Sequence, residues 1–138
     1  MQRDAIISVG SKQVGNEEEA VEVVTKGKFY KKNNCYYAIY DETEISGMEG
    51  TTTTLKIKPD EFTLIRMGST NAKVEFKDKA SDVSMYNTPY GALELVVQTN
   101  KLDINVNDNG GKISIDYNMA LAGQKPLKTI LNIDIKVK

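Results

Sequence analysis

The chain has 138 residues, of which 40% are apolar and 27% charged, a balance that fits one soluble globular domain and excludes disorder. Its net charge of −1 supplies no overall field to draw in nucleic acid or an anionic membrane. With no histidine and a single cysteine, Cys35, the chain excludes Ser-His-Asp and Cys-His catalysis, imidazole zinc sites, thiolate cages and an intrachain disulfide.

Alternation of Ala5, Ile7 and Val9 with Ile6, Ser8 and Gly10 predicts a first strand that ends near Gly15-Asn16. Glu17-Glu18-Glu19 leads into Val21, Val23, Thr25, Gly27 and Phe29, with Glu22, Lys26 and Lys28 on the other parity. That pattern predicts a half-buried second strand, the alternative being a short helix capped by the acidic cluster. Lys31-Lys32-Asn33-Asn34 supplies a turn and Cys35 to Tyr40 a third strand, paired with the second as a hairpin. Asp41-Glu42-Thr43-Glu44 closes it with charge, and Gly47 and Gly50 flank a loop. Four threonines followed by Leu55-Lys56-Ile57-Lys58 predict a fourth strand, because β-branched side chains favour extended backbone.

After the Pro59-Asp60 turn, Phe62, Leu64 and Arg66 share a parity in a strand that Gly68 closes. Val74-Glu75-Phe76 predicts a short strand, and Val83 to Asn87 leads into the hairpin around which the chain is organised. That hairpin runs from Tyr86 to Leu121, with Asn107-Asp108-Asn109-Gly110-Gly111 reversing the chain. Leu93, Leu95 and Val97 are odd-numbered whereas Leu102, Ile104 and Val106 are even, so a bulge or bend is expected around Thr99-Asn100. Ile113, Ile115, Tyr117, Met119 and Leu121 restore alternation, and a last strand carries Leu127, Leu131, Ile133, Ile135 and Val137 on one parity.

Nine or ten strands joined mostly by short turns would leave two exposed edges as an open sheet. Closure into an antiparallel up-and-down β-barrel removes them, so residues 1–138 are expected to form a single all-β barrel domain. The spaced set Gly27-Lys28-Phe29-Tyr30, Tyr37 to Glu42, the threonine-rich strand with Leu55, Arg66-Met67-Gly68, Phe76, Tyr86, Thr88-Pro89-Tyr90-Gly91-Ala92-Leu93, Thr99 and Ile113 to Tyr117 resembles the YwiB-like family. These are small bacterial proteins of unknown function, and the likeness spans most of the chain. It implies a calycin-type, lipocalin-like barrel of about eight to ten strands, and no activity. Barrels of that type often hold a ligand inside, an analogy of fold alone.

Several residues invite a functional reading beside a structural one. Arg66 shares the inward parity of Phe62 and Leu64, and a buried guanidinium needs a partner. It either clamps a ligand or closes one barrel end against a carboxylate such as Glu42 or Glu44. Tyr86, Tyr90 and Tyr117 cluster on the central hairpin, with Tyr36, Tyr37 and Tyr40 on the third strand, and either line a cavity or pack as ordinary strand aromatics. Asp41, Glu42 and Glu44 would make an acid and base only if held across a cleft; otherwise they are a solvated strand end. Asp103, Asn105 and Asn107 begin like a calcium loop, but Asp108 stands where glycine belongs and Ser114 where a bidentate glutamate belongs, so a solvated strand face is the better reading. Cys35 lies near Lys31 and Lys32, which would favour a thiolate, yet a plain strand cysteine needs no such role.

The leading expectation is a non-catalytic module that holds a small apolar or amphipathic molecule in the barrel near Arg66, Tyr86, Tyr90, Tyr117 and Glu42. The alternative is a structural or interaction barrel that works through its outer surface or as a homodimer, suggested by apolar residues on both parities at Ile6-Ile7 and Val96-Val97. Carboxylate-based hydrolysis or elimination is a third reading, without a substrate. No cofactor, metal, nucleic acid or membrane is expected as a partner. The cytoplasm is the expected compartment, since no apolar run approaches the roughly 20 residues of a membrane helix and Met-Gln-Arg-Asp is unlike a signal peptide.

Overall fold

The computed structural model describes residues 2–14, 16–43 and 48–138, with 16–19 described in backbone only. Ten strands run in chain order: β1 (Arg3–Gln13), β2 (Asn16–Lys32), β3 (Cys35–Asp41), β4 (Thr51–Ile57), β5 (Glu61–Gly68), β6 (Ala72–Lys77), β7 (Ser81–Thr88), β8 (Gly91–Asn107), β9 (Gly110–Leu121) and β10 (Leu127–Val137). They form one antiparallel sheet in the order β6-β5-β4-β3-β2-β1-β10-β9-β8-β7. The first and last strands therefore pair, Ile7 opposite Ile135 and Val9 opposite Ile133, and the sheet curls into a nearly closed up-and-down barrel. No helix among the described residues is long and apolar enough to cross a membrane.

Closure falls at a seam between β6 and β7. Asn71 and Asn87 exchange backbone hydrogen bonds of 2.8 and 2.9 Å there, as an isolated bridge. Farther along, side chains take the place of a ladder: the Glu75 amide donates to Asp82 at 3.1 Å and the Ser84 hydroxyl donates to the Lys73 carbonyl at 2.6 Å. Two edges that would otherwise offer free backbone groups are thereby occupied.

Strict alternation puts the core inside. Ala5 and Ile7 of β1, Leu55 and Ile57 of β4, Phe62 and Leu64 of β5, Val74 and Phe76 of β6, Ile113 and Ile115 of β9, and Leu131, Ile133 and Ile135 of β10 are all buried. Within the threonine run the odd members, Thr51 and Thr53, share the inner face with Leu55 and Ile57, while Thr52 is exposed. Ile6 and Val96, on the outer face, are only half-buried. Ile6 stands between Lys26 and Lys136 in the sheet, whose aliphatic stems suit such a position.

The expected change of parity in β8 occurs where anticipated. Register with β9 shifts between Thr99 and Lys101, so Leu95, Val97 and Thr99 face inward before the bulge and Leu102, Ile104 and Val106 after it. The distal half of the β8–β9 hairpin is thereby turned onto one end of the barrel. Its tip is tied there: Tyr36 donates to the Asp108 carboxylate at 2.6 Å, and the Arg3 guanidinium donates to the Asp108 carbonyl at 3.0 Å.

Gly110 makes that hairpin possible. Its φ is +100°, and a Cβ at this position would lie 2.2 Å from the Ile135 carbonyl oxygen. Gly110→Ala is expected to cost about 1–3 kcal/mol, read as a lowered urea midpoint with an unchanged slope. An unchanged midpoint would mean that β9 and β10 do not approach so closely.

Candidate functional site

The barrel end opposite the Asp108 tip encloses a cavity of about 280 Å³. Its wall is mostly apolar, with Leu95, Val97, Leu121 and Leu131 on one side and Leu64, Val74 and Phe76 on the other. Val21, 43% exposed, stands in the same wall and marks where the cavity meets solvent. Phe76 and Tyr117 meet edge-to-face within the barrel, with centroids 5.0 Å apart.

One row across the sheet sets the polar part of the wall. Tyr40 of β3 lies opposite Thr53 of β4, Thr53 opposite Arg66 of β5, and Arg66 opposite Ala72 of β6. Glu42 follows Tyr40 by two residues and so shares its inward face, and its amide extends the β3–β4 ladder by bonding to the Thr51 carbonyl at 2.8 Å. The Glu42 carboxylate is almost sequestered, with 3% of its side chain exposed, and accepts a hydrogen bond from Thr53 at 2.5 Å. The buried Tyr40 phenol stands on the same inward face, close enough to feel the Glu42 charge. Arg66, with 18% of its side chain exposed, brings its Nε to 3.6 Å from Glu42 Oε2.

This pair satisfies charge better than it satisfies hydrogen bonding. At 3.6 Å the Nε–H is beyond a normal hydrogen bond, and among the described residues the buried Arg66 Nε has no hydrogen-bond acceptor. Arg66 Nη1 donates weakly to Tyr86 at 3.5 Å, and the Tyr86 hydroxyl donates to Met48 Sδ at 3.4 Å. Burial, reinforced by the Glu42 charge, pushes the Tyr40 phenol well above its ordinary pKa. Burial likewise raises Tyr117 to about 12, against the opposing pull of Arg66. Both phenols therefore remain protonated donors at neutral pH.

Of the residues singled out from the sequence, Arg66, Glu42, Tyr86 and Tyr117 meet on the wall of this cavity. Tyr90 does not. It sits at the β7–β8 turn, 99% exposed, where its amide bonds to the Thr88 hydroxyl at 3.1 Å and the turn carries its ring outward. Arg66 has the carboxylate partner that its inward parity demanded, and that partner is Glu42; Glu44 lies outside the described residues. Asp41 faces the outside, where Thr52 donates to it at 3.0 Å, so Asp41 and Glu42 point to opposite faces and form no acid–base pair across a cleft. Cys35 is buried at the start of β3. Among the described residues no cluster of acidic or cysteine side chains could hold a metal ion.

Sequence reasoning undervalued Tyr40 and Thr53. The signal was present, since Tyr40 shares parity with Ala38 and Glu42, and Thr53 with Leu55 and Ile57.

A ten-stranded up-and-down barrel with one capped end and a mostly apolar cavity crossed by a polar row is the class of protein that these observations define. The chain belongs to the family described as Domain of unknown function (DUF1934), whose model matches residues 6–133. It is 29% identical over 112 residues to the "Uncharacterized beta-barrel protein YwiB" of Bacillus subtilis (strain 168), covering 80% of this chain and 76% of that protein. The crystal structure of the B. subtilis ywiB protein superposes with a TM-score of 0.87 at 26% identity, covering 99% of this chain and 93% of the other. The YwiB-like resemblance drawn from the spaced residues therefore holds.

Proposed function

We propose that the barrel is a non-catalytic binding module that takes a small amphipathic molecule into its interior, with the polar end of the ligand at Arg66. One observation carries this reading: a cavity of about 280 Å³, open beside Val21, whose mostly apolar wall presents a buried arginine Nε–H that no acceptor among the described residues satisfies. Ligand sites are usually concave, mainly apolar and oriented by a few polar groups, and this volume lies near the lower end of their range of roughly 300–1,000 Å³. A calycin-type assignment of the barrel accords with the same reading, since interiors of such barrels often hold ligands. Catalysis is not required by any group here, because Glu42, the one buried carboxylate among the described residues, is already engaged by Thr53 and Arg66.

Leu121→Trp supplies the test. Leu121 is half-buried near the end of β9 and lines the cavity, so an indole there would occupy ligand space without entering the central core. Native mass spectrometry of the gently purified natural chain is expected to show an adduct of small-molecule mass that the variant lacks. Spectra in which neither chain carries an adduct would sink the reading.

A further inference from the structure

We infer that the ligand is an uncharged molecule with an apolar body and one hydrogen-bond-accepting end, a ketone, ester or similar group, seated with that end on Arg66. This deepens the binding reading and rests on it.

The charge balance of the cavity is the first reason. Among the described residues that line it, Glu42 and Arg66 are the only charged groups, and they face each other at 3.6 Å. The described lining therefore carries no net charge before anything enters. A carboxylate ligand would add an uncompensated negative charge beside Glu42, and an ammonium ligand an uncompensated positive charge beside Arg66, each in a low-dielectric space. Glu42 cannot readily yield its place to an incoming anion, because Thr53 donates to its carboxylate at 2.5 Å and Arg66 faces it.

The distribution of donors and acceptors is the second reason. Glu42 has only 3% of its side chain exposed, whereas Arg66 keeps 18% exposed and a buried Nε–H that no acceptor among the described residues satisfies. Tyr117 adds a protonated phenol to the same wall. The cavity thus offers donors and hides its one anionic acceptor, the complement of a neutral accepting group. Leu95, Leu121 and Leu131 supply the surface for the apolar body.

The test compares probes of equal chain length and different ends: methyl hexyl ketone, octanol, octanoate and octylammonium. Calorimetry on the natural chain is expected to give the ketone a Kd at least about tenfold below those of octanoate and octylammonium, with octanol between. Octanoate or octylammonium binding as tightly as the ketone would overturn the inference and leave the binding reading standing. Failure of all four to bind would overturn both. Glu42→Gln provides a second arm, since it retains an acceptor for Thr53 and removes the charge that balances Arg66. The ratio of octanoate to ketone affinity is expected to rise by about tenfold or more in that variant. An unchanged ratio would overturn the inference, and if the variant does not fold the ranking in the natural chain decides alone.

Discussion

Glu42→Ala is expected to destabilise the barrel by about 3–5 kcal/mol, measured as a fall in the urea-unfolding free energy at constant slope. The substitution leaves the Arg66 guanidinium facing an apolar wall without its counter-charge, and arginine cannot escape the penalty by losing its proton. It also strips Thr53 of its acceptor, so a further buried hydroxyl loses its partner. Exposure of Arg66 toward the cavity places the effect at the lower end of that range. Replacing both members of the pair, Glu42→Leu with Arg66→Met, is expected to recover most of the loss, because two apolar residues need no partner. A loss below about 1 kcal/mol in the single variant would mean that Arg66 is hydrated through the cavity mouth.

Phe76→Ala is the second large effect, again about 3–5 kcal/mol, because the freed volume adds a cavity term to the lost transfer energy. Phe76 is 3% exposed and meets Phe62 at 5.9 Å and Tyr117 at 5.0 Å between ring centroids. Its removal merges the space of the ring with the cavity that it already lines. The variant is therefore expected to gain relative affinity for a longer-chain ketone over methyl hexyl ketone, read by calorimetry. A stability loss without any change in chain-length preference would place the probes elsewhere on the molecule.

Much of this architecture was legible because strand parity is a local property. The odd threonines of β4 announce their burial through Leu55 and Ile57, and the switch from odd to even apolar residues along β8 locates the bulge between Thr99 and Lys101. Arg66 was placed inside by the same logic, from Phe62 and Leu64, together with the demand for a carboxylate. What sequence could not supply is relations between distant strands. Nothing in the local pattern says that β1 and β10 pair while β6 and β7 are joined by a backbone bridge at Asn71 and Asn87 and by side chains farther along. The choice of Glu42 as the partner depends on the Tyr40–Thr53–Arg66 row, which follows from the registers of two hairpins joined by a loop. Tyr90 shows the complementary failure. Periodicity ends at a turn, so its even numbering, shared with the inward-facing Tyr86, says nothing about where its ring goes.

The outer surface leaves the interaction reading a defined place. Val83 and Met85 project from β7 at the seam, 63% and 51% exposed, on the face opposite Tyr86. A molecule that binds there instead of inside would perturb those residues.

The most direct measurement is therefore a nitrogen-15 NMR titration of the full chain with methyl hexyl ketone. The amides of Leu95, Tyr117 and Leu121 are expected to shift saturably, while those of Val106 and Asp108 at the capped end stay unmoved. Shifts confined to Val83 and Met85, or none at all, would contradict an interior binding site.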